Sequence, residues 1–220
     1  MAKNQDVTTA LSAIPPFPRI ALDVMDSLKR EGGSPDRVLE LVERDVAMTT
    51  AVLKLANSGL YGRRQRVPSV RAAFQVLGQE TFGQAVLRVA MKKFAGNAMP
   101  VADLSRCWTH SIACSEIARC LGFHAGVAPE VALSAGLLHD LGRFGLAIAS
   151  PDQHHRLLNT TNYVDLIELE RELFGIDHTE AGRMLAEQFG FPDVFRLVAG
   201  RHHDYPDSGE IDVLAVVSTA

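Results

Sequence analysis

The sequence predicts an all-α fold. Apolar residues recur at the spacing of an amphipathic helix along most of the chain, and helix start and stop signals bracket these segments. Convincing alternating strands bounded by hairpin turns are not found. The 220 residues are 47% hydrophobic and 22% charged, which is enough apolar material for one large core or two small helical lobes.

The first helices carry the clearest end signals. Ser34 is predicted to cap a helix that has Pro35 at its first position and an apolar face further on. The next helical pattern stops in the segment 57–59, and a third begins at Ser69 and ends at Gly78. Later segments, including "HTEAGRMLAEQFGFP" and "IDVLAVVSTA", repeat the same pattern.

A break in the helical pattern predicts how the chain is divided. Gly96, Asn97 and Pro100 interrupt two helical segments. We expect an N-terminal tail over residues 1–13 and a single domain over residues 14–220. This domain would consist of one helical lobe at about 14–96 and a second at about 97–220.

The composition argues against several classes of partner. The formal net charge is −4 without a run of Lys or Arg, so neither a nucleic acid nor a membrane is an expected partner. No stretch of about 18 apolar residues and no basic leader occur, which predicts a cytoplasmic protein. Cys107, Cys114 and Cys120 fit neither a disulfide framework nor a CxxC zinc site, and we expect reduced, packed thiols.

The candidate functional residues are histidines, and all eight histidines lie in the second lobe. His124, His154 and His155 have polar or loop-like surroundings and are expected to be surface or helix-capping residues. The remaining candidates stand in separate helical segments that could meet at one point: His110, His139, Asp140, His178, His202 and His203.

These side chains support two interpretations. Imidazole nitrogens and carboxylate oxygens suit Fe, Mn, Zn or Ni, and two such ions about 3.5–4 Å apart can polarise a phosphate and activate a water. The adjacent His139 and Asp140 would then bind one ion together, or Asp140 would bridge to a second. Alternatively, the imidazoles donate hydrogen bonds to backbone carbonyls and to Asp140, and a satisfied polar network ties the helices together.

Seven segments extend this pattern over nearly the whole chain from Ile14 onward. They are "IPPFPRI", "LKLANSGLYG", "VRAAFQVLG", "CWTHSIACSEIA", "AGLLHDLGRF", "ELFGIDHTEAGRML" and "FPDVFRLVAGRHHDYP". With the ordered histidines they resemble the HDOD family, the HD-related output domains of bacterial signalling proteins. This family lies within the HD superfamily of metal-dependent phosphohydrolases.

The resemblance implies a multi-helix HD-like fold with an additional N-terminal helical lobe. It implies a bacterial signal-transduction output module that acts on signalling protein partners through a degenerate, non-catalytic site. The implied ligands of a divalent Fe, Mn, Ni or Zn ion are the six candidates above. The alternatives are a metal-dependent phosphohydrolase acting on a cyclic dinucleotide or other nucleotide phosphoester, with Asp140 catalytic, and a sensor that binds a nucleotide without cleaving it.

The chain departs from the resemblance at its C-terminal end. HD enzymes carry a final metal-binding aspartate on the last helix, whereas Ser218 stands in the corresponding region of this sequence. Asp212 lies about a turn and a half too early to replace it. A neutral hydroxyl is a weaker ligand than a carboxylate, so we expect reduced metal affinity.

Two charged segments are further candidates. Arg63, Arg64 and Arg66 surround a loop that is expected to be solvated, with binding of an anionic ligand or an acidic partner as the alternative. Three acids near His178 are expected on a solvated helix face, although an acid there could orient a ligand. These are Glu168, Glu170 and Glu172.

Overall fold

Every regular element of the described chain is a helix, which confirms the all-α prediction for that part. The structure is a computed structural model that describes residues 2–29, 35–58, 66–96, 101–160, 165–204 and 212–220. The helices are α1 (Ala2–Ser12), α2 (Arg19–Lys29), α3 (Asp36–Glu43), α4 (Val46–Ala56), α5 (Val70–Gly96), α6 (Val101–Ala125), α7 (Pro129–Leu138), α8 (Leu141–Ala149), α9 (Pro151–Asn159), α10 (Leu166–Phe174), α11 (His178–Gln188), α12 (Asp193–Arg201) and α13 (Val213–Thr219).

The chain forms two compact units. The smaller unit is Phe17–Phe94, and the larger unit combines Met1–Pro16 with Ala95–Ala220. The structure differs here from the predicted N-terminal tail over residues 1–13, because α1 is a packed helix of the larger unit. Its Val7 and Leu11, one turn apart, are buried, and α1 packs against α8 and α11.

The helix ends of the smaller unit follow the sequence signals in part. Asp45 caps α4 by accepting two hydrogen bonds from backbone N–H groups, and α4 ends at Ala56, next to the predicted stop. Helix α3 begins at Asp36, one residue later than predicted, because Pro35 occupies the cap position. The predicted cap Ser34 lies outside the described residues.

Gly78 marks a kink, whereas the sequence predicted a helix end there. Its φ of +74° is a left-handed conformation that favours glycine and interrupts α5. The chain then resumes a helix, because apolar side chains at helical spacing continue to be buried, among them Phe82, Val86 and Met91.

The core of the larger unit is built around α7 and α8. Every residue from 132 to 142 is buried. Helix α7 packs mainly against α6, α8 against α11, and α11 against α12. The stretch Pro129–Ala149 is long and apolar enough to cross a membrane, but 83% of its most apolar part is buried inside the protein. Its place in the core therefore accounts for its apolar composition.

Two glycines allow close helix contacts around the polar end of this core. At Gly136 of α7, a Cβ would lie 2.9 Å from both the Cys114 carbonyl oxygen and the Ser115 Cα of α6. At Gly142 of α8, a Cβ would overlap the His178 carbonyl oxygen of α11. Because glycine has no side chain, α7 can pack closely against α6, and α8 can pack closely against α11.

Leu137→Ala is expected to lower the free energy of unfolding by about 2–5 kcal/mol, because the side chain is completely buried in α7 and its loss leaves a cavity. Chemical denaturation measures the change. Leu197→Ala is the control, and it should cost less because Leu197 is 39% exposed. A loss below about 0.5 kcal/mol at Leu137 would contradict its buried position.

Candidate metal centre

The six candidate residues meet in the larger unit, and five of them lie at helix ends. His139 and Asp140 lie in the turn between α7 and α8, and His178 is the first residue of α11. His202 and His203 follow the end of α12, and His110 lies in the middle of α6. We call this group the histidine cluster: His110, His139, Asp140, His178, His202 and His203.

Asp140 is the fully buried centre of the histidine cluster. Its Oδ2 lies 3.5 Å from Nε2 of His110 and 3.4 Å from Nε2 of His139. Its Oδ1 lies 3.6 Å from Nε2 of His178 and 3.5 Å from Nε2 of His202. Among the described residues, neither oxygen has a hydrogen-bond partner. A buried carboxylate needs a cationic partner: the Nε of Arg143 lies 3.2 Å from Oδ1, and Oδ2 faces the imidazoles of His110 and His139, where a metal ion would complete the pairing.

Three imidazoles are oriented through their Nδ1 atoms. His139 and His202 donate from Nδ1 to backbone carbonyls three and four residues earlier, at 2.7 Å and 3.1 Å. His178 donates from Nδ1 to Oε2 of Glu170 at 2.5 Å. Since these oxygens only accept, each Nδ1 carries the proton and each Nε2 presents a lone pair to the cluster. This is the orientation that metal-binding histidines adopt.

The Nε2 atoms are separated by distances typical of nitrogens that bind the same metal ion. Those of His178 and His202 are 3.2 Å apart, and neither can donate to the other because both protons are on Nδ1. The Nε2 of His203 lies 3.0 Å from that of His178. Two nitrogens bound to one ion at about 2.0–2.1 Å are separated by about 3.0 Å in an octahedron and about 3.4 Å in a tetrahedron. The observed separations therefore suit a shared cation.

Burial keeps His139 and His203 neutral, and the surroundings of Asp140 keep it ionised. Burial lowers the pKa of His139 to about 4, and burial together with the neighbouring His202 lowers the pKa of His203 to about 4. Burial alone would raise the pKa of Asp140, but His139, His202 and Arg143 hold it well below its usual range. The Nε of Arg143 lies 3.2 Å from Oδ1. At neutral pH these groups are in the protonation states that metal ligands need.

Chelator-treated protein is expected to lose stability as the pH falls from about 6.5 towards 4. In this window the unfolded chain protonates His139, whose ordinary pKa is 6.5, while the folded protein leaves it neutral until about pH 4. The unfolding free energy should fall by up to about 1.4 kcal/mol per pH unit for this proton. Denaturant titrations at several pH values measure the slope. His155→Gln, at an exposed position, should keep it, and a slope of the opposite sign in wild type would contradict the burial of His139.

Glu170 is the functional residue that the sequence analysis placed wrongly. It was expected on a solvated face with Glu168 and Glu172, which are exposed, but only 1% of Glu170 is exposed. It also accepts a hydrogen bond from the backbone N–H of His178. One signal was present, since Glu170 lies four residues before the buried Phe174 and so shares its helix face.

Glu170→Gln is expected to weaken metal binding by about 10–100-fold, because it weakens the contact that fixes the tautomer and orientation of His178. Zinc titration against a competing chelator measures the affinity. Glu168→Gln, two residues earlier and exposed, is the matched control and should bind like wild type. Equal affinity of the two variants would show that Glu170 does not position a ligand.

A cavity of about 440 Å³ borders the histidine cluster. His110 of the cluster lines this cavity, together with Arg106, Arg143, His154 and Glu170. Its volume is within the range of small-molecule sites, which is about 300–1,000 Å³. The cavity therefore offers a ligand direct access to His110.

His154 corrects a second expectation. It was expected at the surface with His124 and His155, and these two are exposed, but His154 is buried against the cavity. Leu157 and Leu158, three and four residues later on α9, line the same cavity. Their shared helix face turns His154 inward.

The remaining predicted residues take no part in the cluster contacts described above. Arg63 and Arg64 lie outside the described residues, and Arg66 is exposed in the smaller unit. The Ser218 hydroxyl donates to a backbone carbonyl one turn earlier. Asp212 caps α13 by accepting a hydrogen bond from a backbone N–H. Both side chains thus serve their own helix.

Solved structures with the same fold include three bacterial proteins. An HDOD domain protein of unknown function from Geobacter sulfurreducens is 25% identical, with a TM-score of 0.78 over 97% of this chain and 76% of that chain. A protein from Shewanella amazonensis SB2B, assigned provisionally as a phosphohydrolase, is 22% identical (TM-score 0.73, 97% and 77% covered). A provisional signal transduction protein from Marinobacter aquaeolei VT8 is 20% identical (TM-score 0.74, 99% and 54% covered).

Sequence comparisons agree with this fold. An uncharacterized protein of Treponema pallidum (strain Nichols) is 24% identical over an alignment of 220 positions, which covers 94% of this chain and 42% of that protein. The chain therefore spans less than half the length of this curated relative. The model of the HDOD domain family matches residues 14–205. By this match over most of its length, the chain belongs to the HDOD domain family.

Proposed function

We propose that this HDOD domain is a signal-transduction output domain that holds a divalent transition metal ion, Fe, Mn, Ni or Zn, at the histidine cluster and acts on a signalling protein partner without catalytic turnover. The observation that carries the metal is Asp140. Its buried carboxylate has no hydrogen-bond partner among the described residues and faces Nε2 atoms on both sides.

A metal explains the cluster better than a satisfied polar network does. In a network only Arg143 and His110 would be left as N–H donors for Asp140 within the described cluster, because the Nδ1 protons of the other three imidazoles beside it are already donated elsewhere. A second proton on His139 would provide a donor, but its pKa of about 4 excludes this at neutral pH. A bound cation instead accepts the Nε2 lone pairs and neutralises the carboxylate.

The shortage of anionic oxygens argues against turnover. Asp140 is the only carboxylate in the histidine cluster, because Glu170 is engaged by Nδ1 and the backbone N–H of His178. The Ser218 hydroxyl is engaged within α13. A pair of divalent ions would thus receive little compensating charge from carboxylates, which weakens their retention. A signal-transduction output role does not need turnover and requires only a stable metal site.

A metal-dependent phosphohydrolase is the second candidate, and the cavity beside His110 favours it. Arg106 and Arg143 line the cavity and would bind phosphate oxygens, and His154 offers a further polar group. A bound divalent ion supplies Lewis acidity towards a phosphate oxygen. The substrate class is a nucleotide phosphoester such as a cyclic dinucleotide.

Metal content and turnover, measured on the same preparations, separate these functions. Wild type and Asp140→Asn are purified without chelator, analysed for metals, supplied with Mn, Fe or Ni and assayed with cyclic dinucleotides. We expect metal in wild type only, and no multiple turnover. Turnover that Asp140→Asn abolishes would establish the phosphohydrolase instead. Wild-type protein that binds no metal at all would overturn both and leave an interaction domain without a cofactor.

A further inference from the structure

The Cys114 thiol lies beside two imidazoles of the histidine cluster. Cys114 follows His110 by four residues on α6, is only 5% exposed, and places its Sγ 3.6 Å from Nε2 of His110. His139 completes the group, since each of the three residues offers a donor atom within 4.8 Å of the other two. The spacing of four residues puts the thiol and the first imidazole on one helix face.

Asp140 supplies the independent sign that a ligand belongs here. Its Oδ2 is completely buried, has no hydrogen-bond partner among the described residues, and lies 3.5 Å and 3.4 Å from the Nε2 atoms of His110 and His139. We propose that Cys114 is a thiolate ligand that, with His110, His139 and Oδ2 of Asp140, forms a two-nitrogen, one-sulfur, one-oxygen site for a zinc-like ion. This inference rests on the proposed metal-binding function.

Two separations among the proposed ligands fit a tetrahedral ion. With metal–nitrogen bonds of about 2.0–2.1 Å and a metal–sulfur bond of about 2.3 Å, nitrogens lie about 3.4 Å apart and nitrogen and sulfur about 3.5 Å apart. The structure has 3.2 Å between Nε2 of His110 and Nε2 of His139, and 3.6 Å between Nε2 of His110 and Sγ of Cys114. No large side-chain movement is needed along these edges.

Close helix packing holds the thiol in this position. Gly136 of α7 leaves room for the Cys114 backbone, since a Cβ there would lie 2.9 Å from the Cys114 carbonyl oxygen. The His110 side chain is about half exposed, at 48%, which gives an ion a route into the site. Cys120 is exposed, and among the described residues the group of donor atoms within 4.8 Å of one another contains Cys114 but not Cys107.

The thiolate changes both charge and metal preference. As the sulfur–metal bond forms, the S–H bond breaks and its proton passes to water. Together with Asp140 the thiolate then provides two negative charges, which balance a divalent ion. Soft sulfur favours zinc over manganese and magnesium, which prefer oxygen ligands. Cys114 thus supplies an anionic donor where the cluster has only one carboxylate.

Cobalt(II) is the probe, because a cysteine sulfur bound to it gives a near-ultraviolet charge-transfer band. Chelator-treated, reduced wild-type protein is titrated with cobalt(II), beside Cys114→Ser and the matched control Cys107→Ser, which changes a buried cysteine of the same helix. We expect the band in wild type and Cys107→Ser and its loss in Cys114→Ser. The affinity of the proposed site for zinc should fall about 10-fold or more in Cys114→Ser and should stay unchanged in Cys107→Ser.

The outcomes separate this inference from the proposed function. Cobalt that binds wild type without the band, or a band that survives Cys114→Ser, overturns the thiolate ligand and leaves metal binding intact. Failure of wild type to bind cobalt overturns both. Alkylation of wild type gives a test that does not depend on a folded variant: bound cobalt should slow the reaction of Cys114 but not that of exposed Cys120, and equal protection of both would count against ligation.

Discussion

Asp140→Asn is expected to abolish metal binding and the stabilisation that metal brings. The carboxylate is buried, and its two oxygens lie 3.4–3.6 Å from four Nε2 atoms, so it is the anionic ligand that the neutral amide of asparagine does not replace. In wild type, metal at 100 times its Kd should raise the free energy of unfolding by about 2.7 kcal/mol. The variant should lose this increase, as denaturation with and without zinc would show.

The same experiment distinguishes a polar network from a ligand set. If Asp140 only held Arg143 and the imidazoles together in a polar network, zinc would stabilise neither wild type nor the variant. Asp152→Asn changes an exposed carboxylate of α9 and should retain wild-type behaviour with and without zinc. Zinc-induced stabilisation that persists in Asp140→Asn would contradict the central place of this carboxylate.

Gly142→Ala is expected to cost more than about 4 kcal/mol, a loss that is exceptional for one methyl group. The new Cβ would overlap the His178 carbonyl oxygen and lie 2.6 Å from the backbone nitrogen of Gly182. These are backbone atoms of α11, so α8 and α11 would have to separate. Because α8 follows Asp140 and α11 begins at His178, metal binding should be lost as well.

Gly200→Ala is the control for this substitution. Its Cβ would meet the Cβ of Arg183 at 3.1 Å, a contact that small side-chain movement can relieve, and alanine is the better helix former by about 1 kcal/mol. Thermal unfolding and circular dichroism should show a protein close to wild type. If Gly142→Ala behaved like Gly200→Ala, α8 and α11 would not be packed as closely as in the structure.

The helices could be predicted from the sequence because they depend on local patterns, and all six residues of the histidine cluster were candidates because their ordered segments resemble a known family. The apolar residues 132–138 precede His139 and Asp140, and a polar pair at the end of such a run indicates a buried polar site. The order of the histidine-containing segments carried the resemblance to the HDOD family. Local helix signals likewise placed the end of α4 next to Asn57.

The residues that were misplaced depend on contacts between distant segments. Glu170 is buried because α11 returns to place His178 against it, and local charge alone favoured a solvated face. His154 is buried because α9 turns it towards the cavity. Residues 2–12 form a packed helix because α8 and α11, more than 120 positions later, cover it. The spacing of apolar residues indicates which face of a helix is buried, but tertiary packing determines which residues contact that face.

Anomalous X-ray diffraction from zinc-loaded wild-type crystals tests the metal centre most directly. We predict an anomalous peak about 2.0–2.2 Å from an oxygen of Asp140 and about 2.0–2.1 Å from two Nε2 atoms beside it, either those of His178 and His202 or those of His110 and His139. Data collected on both sides of the zinc edge would identify the element. A cluster without such a peak, in crystals whose zinc lies only at surface positions, would contradict a metal centre in this domain.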